Sequence, residues 1–248
     1  MAASQSPEPG ETARPKSYLA KFAGIFLSPG ETFADIARKP DFIFPLIVVV
    51  LSTIAVTETM LAKIGMERII RAQMEQSGRA SSMSPEQMQQ AVEQGARIGG
   101  IIAHISPGFV AIGLLIVAAI GMVIVNAIFG GAIKFKTAFS IACYANLVGL
   151  LGAVMAVALI LFGDPDHFNA QSPVPSNPGF FLNPLETSKP LVSLASSIDI
   201  FTLWYMVLLA IGFSQATGGK AKSLSIFFSL FGLWLLWVLI KMGLAMLG

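Results

Sequence analysis

The chain has 248 residues, of which 54% are hydrophobic and only 12% charged, with a formal net charge of +2 and a mean hydropathy of +0.73. A soluble domain carries about 25% charged residues, so this composition excludes an ordinary water-soluble globule. No Lys/Arg-rich stripe interleaved with aromatics appears, which sets nucleic acid aside as a partner.

Residues 1–16 are rich in Pro, Ser, Glu and Ala. They lack the apolar centre of a cleaved signal peptide and predict a disordered tail. Residues 17–41 change character. Tyr18, Leu19, Phe22, Ile25 and Phe26 recur at helical spacing, with Lys16 and Lys21 on or beside the polar side. Ser28, Pro29, Gly30 and Glu31 then stand in capping order and restart the helix. Phe33, Ile36 and Ala37 give the second piece its own apolar face, Arg38 and Lys39 suit its C-terminal dipole and anionic head groups, and Pro40 stops it. Asp41 is placed to cap the first membrane crossing. The expectation is two short amphipathic interfacial helices on the inner leaflet, with Phe22, Phe26, Phe33, Ile36, Arg38 and Lys39 contacting lipid or a partner. The alternative is a soluble pre-helix packed on the cytoplasmic loops.

Residues 42–248 carry five apolar runs long enough to cross a bilayer, at about 42–62, 109–129, 137–162, 198–216 and 223–247. Lipid offers no hydrogen bonds, so each must satisfy its own backbone as a helix. The predicted fold is all-α: a five-transmembrane-helix bundle fronted by the interfacial helices. With the N-terminus inside, nine basic residues fall on the inner side against seven outside. The short inner loops "GGAIKFK" and "TGGKAK" each carry two lysines and no acid. The positive-inside rule therefore predicts a cytoplasmic N-terminus and an external C-terminus. In the first outer loop, 63–104, Ser84, Pro85 and Gln87 spell a capping box and predict a helical hairpin or extension. A third start of this kind, Ser106-Pro107-Gly108, opens the second crossing. Six prolines in the outer loop 163–197 predict an extended, turn-rich segment.

Ionisable residues inside spans are the usual functional suspects. Here they are Glu58, Asp199 and Lys241, with His104 just before the second span. Lys241 can snorkel while the acids sit at the water boundary, with Asp199 favouring a helix start. It can pair with Glu58 or Asp199, or the three can build a transport or ion site. Asp164, Asp166 and His167 offer three metal-type ligands, but Pro165 between two aspartates makes a solvated turn the simpler expectation. The single cysteine, Cys143, reads as a small buried hydrophobe. No catalytic constellation and no cofactor or metal site emerges. Ala138, Ala142, Ala145, Gly149, Ala153 and Ala156 form a small-residue stripe in the third span, suited to close helix packing or to the seam of a homo-oligomer. Asn126, Trp204, Trp234 and Trp237 read as packing or interface residues.

The stretch "SPGETFADIARKPDFIFPL" resembles the "P-x-x-TF-x-x-I-x-x-x-P…P" opening of the Yip1 family. "AFSIACYANLVGLLGAV" is similar to that family's third span, and "DIFTLWYMVLLAIGFSQATGGKAKSLSIFFSLFGLW" to its fourth and fifth with their basic inner loop. The resemblance runs from about Ser17 to Met246. It implies a polytopic scaffold with a cytoplasmic N-terminus, whose eukaryotic members serve Golgi and ER traffic and contact Rab-type GTPases. The compact form is similar to prokaryotic members, which implies the cytoplasmic membrane. The expected function is a non-catalytic membrane scaffold that binds lipid and a protein partner. The alternative is a small-solute or ion transporter using Glu58, Asp199 and Lys241.

Overall fold

The computed structural model describes residues 17–164 and 172–247. The predicted tail, and Asp166 and His167 of the turn, lie outside the described residues. Among the described residues ten α-helices follow one another: α1 (Tyr18–Leu27), α2 (Pro29–Arg38), α3 (Ile43–Lys63), α4 (Met66–Gln76), α5 (Pro85–Val123), α6 (Phe135–Asn146), α7 (Gly149–Phe162), α8 (Lys189–Ser197), α9 (Ile200–Ala216) and α10 (Ser223–Leu247). No strand occurs among the described residues.

Among the described residues four stretches are long and apolar enough to cross a membrane: α3, α5 with its extension to Ile128, α6 with α7, and α10. α8 followed by α9, bent by 45°, makes a fifth where the bent pair is taken as one span. The bend has a local cause. Asp199 is extended at φ −107, ψ 133, where its side chain accepts from the Thr202 amide and caps α9. The bundle therefore runs between two ends. One carries α1, α2 and the connections before α6 and α10. The other carries α4, the first half of α5, and α8.

At 39 residues α5 spans about 58 Å at 1.5 Å per residue, against a hydrocarbon core of about 30 Å. Its first half thus projects beyond the apolar slab and pairs with α4, which Gly65 reverses into at φ +81. The Ser84–Gln87 capping box is complete in both directions, at 3.2 and 2.9 Å. The helix start expected at Ser106-Pro107-Gly108 does not form. Pro107 lies inside an unbroken α5, and the Ser106 hydroxyl lies 3.4 Å from that of Thr57 on α3. Beyond Val123 the helix widens into a π turn over Ile124–Ile128. There the Asn126 carboxamide donates to the Ile133 carbonyl at 3.0 Å and accepts from its amide at 2.9 Å, fastening the turn into α6.

The expected third span forms as α6 with α7, with a local interruption at its middle. Leu147 and Val148 make three-residue bonds back to Tyr144 and Ala145, dividing α6 from α7. The break also divides the small-residue stripe. Ala138, Ala142 and Ala145 are fully buried. Gly149 is exposed and, with Ala153, lines a cleft of about 350 Å³ against Val49, Ser52 and Thr53 of α3. The core sits where α2, α6 and α9 meet, around Phe33, Ile36, Ile141, Leu209 and Phe213. By contrast Leu233, Leu236, Trp237, Ile240 and Leu244 of α10 are exposed, as a lipid-facing helix requires.

Candidate functional site: a buried ionic cluster under the N-terminal helices

Ser17 opens α1 by accepting from the Ala20 amide at 3.2 Å. The helix is apolar apart from Lys21, which shares a face with Gly24 and Ile25. That face turns inward. Gly24 lets α2 approach closely, because a Cβ at this position would strike the Thr32 hydroxyl. On α2, Phe33 and Ile36 are fully buried. Gly212 of α9 makes the matching room, since a Cβ there would meet Phe33 and Ile141.

Lys21 is 2% exposed, the reverse of the polar-side position expected for it. Its Nζ donates to Asp41 Oδ2 at 2.7 Å and lies 3.7 Å from Asp35 Oδ2. It also stands 5.7 Å from the centre of the Tyr144 ring. The Tyr144 hydroxyl donates to the other oxygen of Asp41 at 3.0 Å. Asp41 is thus drawn away from capping α3, whose N-cap residue is Phe42 and makes no side-chain cap bond. An ammonium is a stronger partner for a carboxylate than a peptide N–H. One cation faces two carboxylates, and Asp35 Oδ2 and Thr32 Oγ1 are buried without a hydrogen bond. Chemically the arrangement is a latch: residues of α1, α2, the α2–α3 link and α6 are tied in one cluster around the buried Lys21, with the Asp41 side chain 25% exposed.

The remaining residues of the expected lipid or partner face divide. Phe22 and Phe26 are half-buried, with Phe26 edge-on to Trp204 of α9 at 5.8 Å. Arg38 and Lys39 are exposed. Phe33 and Ile36, expected at the interface, instead lie in the core, because α2 drops between α6 and α9. What faces outward on α1 is Leu19, Ala23 and Leu27, with Leu19 75% and Leu27 84% exposed.

Glu58, Asp199 and Lys241 do not come together. Glu58 meets His104 Nε2 at 3.5 Å on an exposed surface. Asp199 caps α9 and accepts from the Ser176 hydroxyl. Lys241 donates to the Ser197 hydroxyl at 3.1 Å. Of the cluster, the sequence suggests other roles for Lys21 and Asp41 and does not single out Asp35. The available signal was one cation at the same face as Ile25 in an otherwise apolar helix.

A model of the Yip1 domain matches residues 23–242. The chain belongs to the Yip1 domain family. Membrane protein YknW of Bacillus subtilis (strain 168) is 25% identical over 199 residues, which cover 80% of this chain and 79% of that protein. No solved structure matches. Three of the four cluster residues lie within the Yip1 match, which begins two positions after Lys21. The family and the apolar helices together identify an integral membrane protein.

Proposed function

We propose that this Yip1 domain protein is a non-catalytic membrane adaptor whose α1–α2 pair is a fixed docking platform on the cytoplasmic end of the bundle. The observation that carries this reading is the Lys21–Asp41–Tyr144 cluster. A cell-facing segment that only floats on lipid needs no buried ion pair to hold it. Desolvating an ion costs several kcal/mol, and here the charges serve to fix the platform's position. Leu19, Ala23 and Leu27 form the outward apolar strip of α1, and the exposed Arg38 and Lys39 at the end of α2 supply basic contacts for acidic lipid or protein. The cytoplasmic assignment rests on the positive-inside argument. Glu58, Asp199 and Lys241 each have another polar partner, which gives the transporter alternative no support.

Photo-crosslinking from Ala23 and Leu27 in native membranes, followed by mass spectrometry, tests the proposal. One stoichiometric protein adduct, absent when the probe sits at Leu236 on α10, is the expected result. Solute flux in proteoliposomes that Glu58→Gln, Asp199→Asn or Lys241→Met abolishes would overturn it.

A further inference from the structure

The cleft of about 350 Å³ between α3, α5 and the α6–α7 junction lies halfway across the membrane. Two of its lining residues, Ser52 and Thr53, stand at the middle of the 21-residue α3, about 15 Å from either end at 1.5 Å per residue. A third, Asn146, stands near the middle of the span Phe135–Phe162. We infer that this cleft binds a neutral lipid alcohol, with the hydroxyl held by Asn146, Ser52 and Thr53 and the hydrocarbon laid along the apolar wall.

Three observations carry the inference. First, the Asn146 carboxamide lines the cleft and makes no hydrogen bond to any other described residue. An amide left unpaired in hydrocarbon is costly, so a ligand that pairs with it gains free energy. Second, the hydrogen-bonding capacity of the wall has a definite pattern. The Ser52 and Thr53 hydroxyls both donate to the Val49 carbonyl, at 2.8 and 2.9 Å, which leaves their lone pairs as acceptors. Asn146 adds two N–H donors and one carbonyl. A hydroxyl donates and accepts, and so uses both kinds of group. An ether, ester or ketone only accepts, and leaves the Ser52 and Thr53 oxygens without a donor. No ionisable side chain lines the cleft, and a charge at this depth is costly without a partner, so the ligand is neutral. Third, the space suits a lipid. The volume corresponds to roughly ten waters at about 30 Å³ each, but Val48, Val56, Val110, Leu147 and Leu150 give them nothing to bond. A transmembrane helix is about 10–12 Å across and can lay only a side chain here. Gly149 leaves one wall open, because a Cβ there would meet nothing within 4 Å. Gly149 is exposed and Ser52 and Thr53 are half-buried, so the cleft opens sideways to the acyl chains.

The test is binding of tetradecanol and of its methyl ether to the full chain in neutral detergent, read by native mass spectrometry and thermal unfolding. Tetradecanol is expected to bind one per chain and raise Tm. The ether keeps the hydrocarbon but cannot donate, and should bind about tenfold more weakly, the usual loss for one hydrogen bond. Asn146→Leu should weaken tetradecanol by a similar factor and bring the two probes level. Gly149→Leu should fill the cleft and abolish both. It adds a side chain where there is room and removes a helix-disfavouring glycine, so it remains informative if Asn146→Leu fails to fold. Equal binding of alcohol and ether by the native chain would overturn the alcohol assignment. No binding by the native chain, or equal binding by native chain and Gly149→Leu, would overturn the site altogether. A photoreactive residue at Gly149 in native membranes should form lipid adducts, and one stoichiometric protein adduct would overturn the lipid in favour of a partner's side chain. None of these outcomes involves the α1–α2 platform.

Discussion

Lys21 sits in the interior because two carboxylates and an aromatic face replace its water. Removing one member of a buried pair typically costs about 3–5 kcal/mol, since the partner is left charged and desolvated. Lys21→Met should therefore lower stability by about 3 kcal/mol in thermal unfolding in micelles, and adding Asp41→Asn should recover part of that loss rather than add to it. Strict additivity of the two substitutions would show that they do not interact. Tyr144→Phe removes one hydrogen bond to a carboxylate and should cost about 1–2 kcal/mol. Asp199 poses a different question at the same scale. As the cap of α9 it should lose about 1 kcal/mol on change to Ala and much less on change to Asn, which also caps. Equal losses for Ala and Asn would assign Asp199 a role that needs its charge. Sequence spacing gave little warning of the cluster: Lys21 and Asp41 are 20 residues apart, and Asp41 and Tyr144 are 103 apart. Residue types along one helix cannot report a partner brought in by another.

At the scale of elements, glycines decide how closely α1, α2 and α9 approach. A side chain at Gly24 collides with Thr32, and one at Gly212 with Phe33 and Ile141. Gly24→Val or Gly212→Leu should lift α1–α2 off the bundle. Limited trypsinolysis reads this directly, because cleavage after Lys21 requires that its buried side chain be released. Cleavage after the exposed Arg38 and Lys39 supplies the internal standard. Unchanged protection of Lys21 in both variants would contradict the packing described for α2. The capping box at Ser84 was legible because it is a local pattern, complete within four residues. The false start at Pro107 arose because the same letters can lie inside a helix when the surrounding structure supports it. The break at Leu147–Val148 carries neither proline nor glycine at its centre, so nothing local announced it.

At the scale of the molecule, four of the apolar runs were legible as spans because lipid leaves the backbone no other choice than helix, while the run at 198–216 is long enough only together with α8. The helical extension expected in 63–104 forms as the first half of α5; what the sequence hid was its unbroken passage through Pro107 into the second crossing. The placement of Phe33 and Ile36 was not legible either, since an amphipathic stripe suits a lipid surface and a protein groove equally well. The two-ended architecture predicts that cysteines at Arg38 and Gln90, introduced singly into a Cys143→Ala background, label from opposite sides of the membrane. Gln90 should react with a membrane-impermeant maleimide in intact cells, and Arg38 only after permeabilisation. The account as a whole depends on the α1–α2 pair being fastened to the bundle rather than resting on lipid. Amide hydrogen exchange in lipid nanodiscs measures that fastening directly. The account predicts slow exchange throughout 19–37 in the native chain, and a large acceleration confined to α1 and α2 in Lys21→Met. Rapid exchange across these helices in the native chain, or no change in the variant, would contradict it.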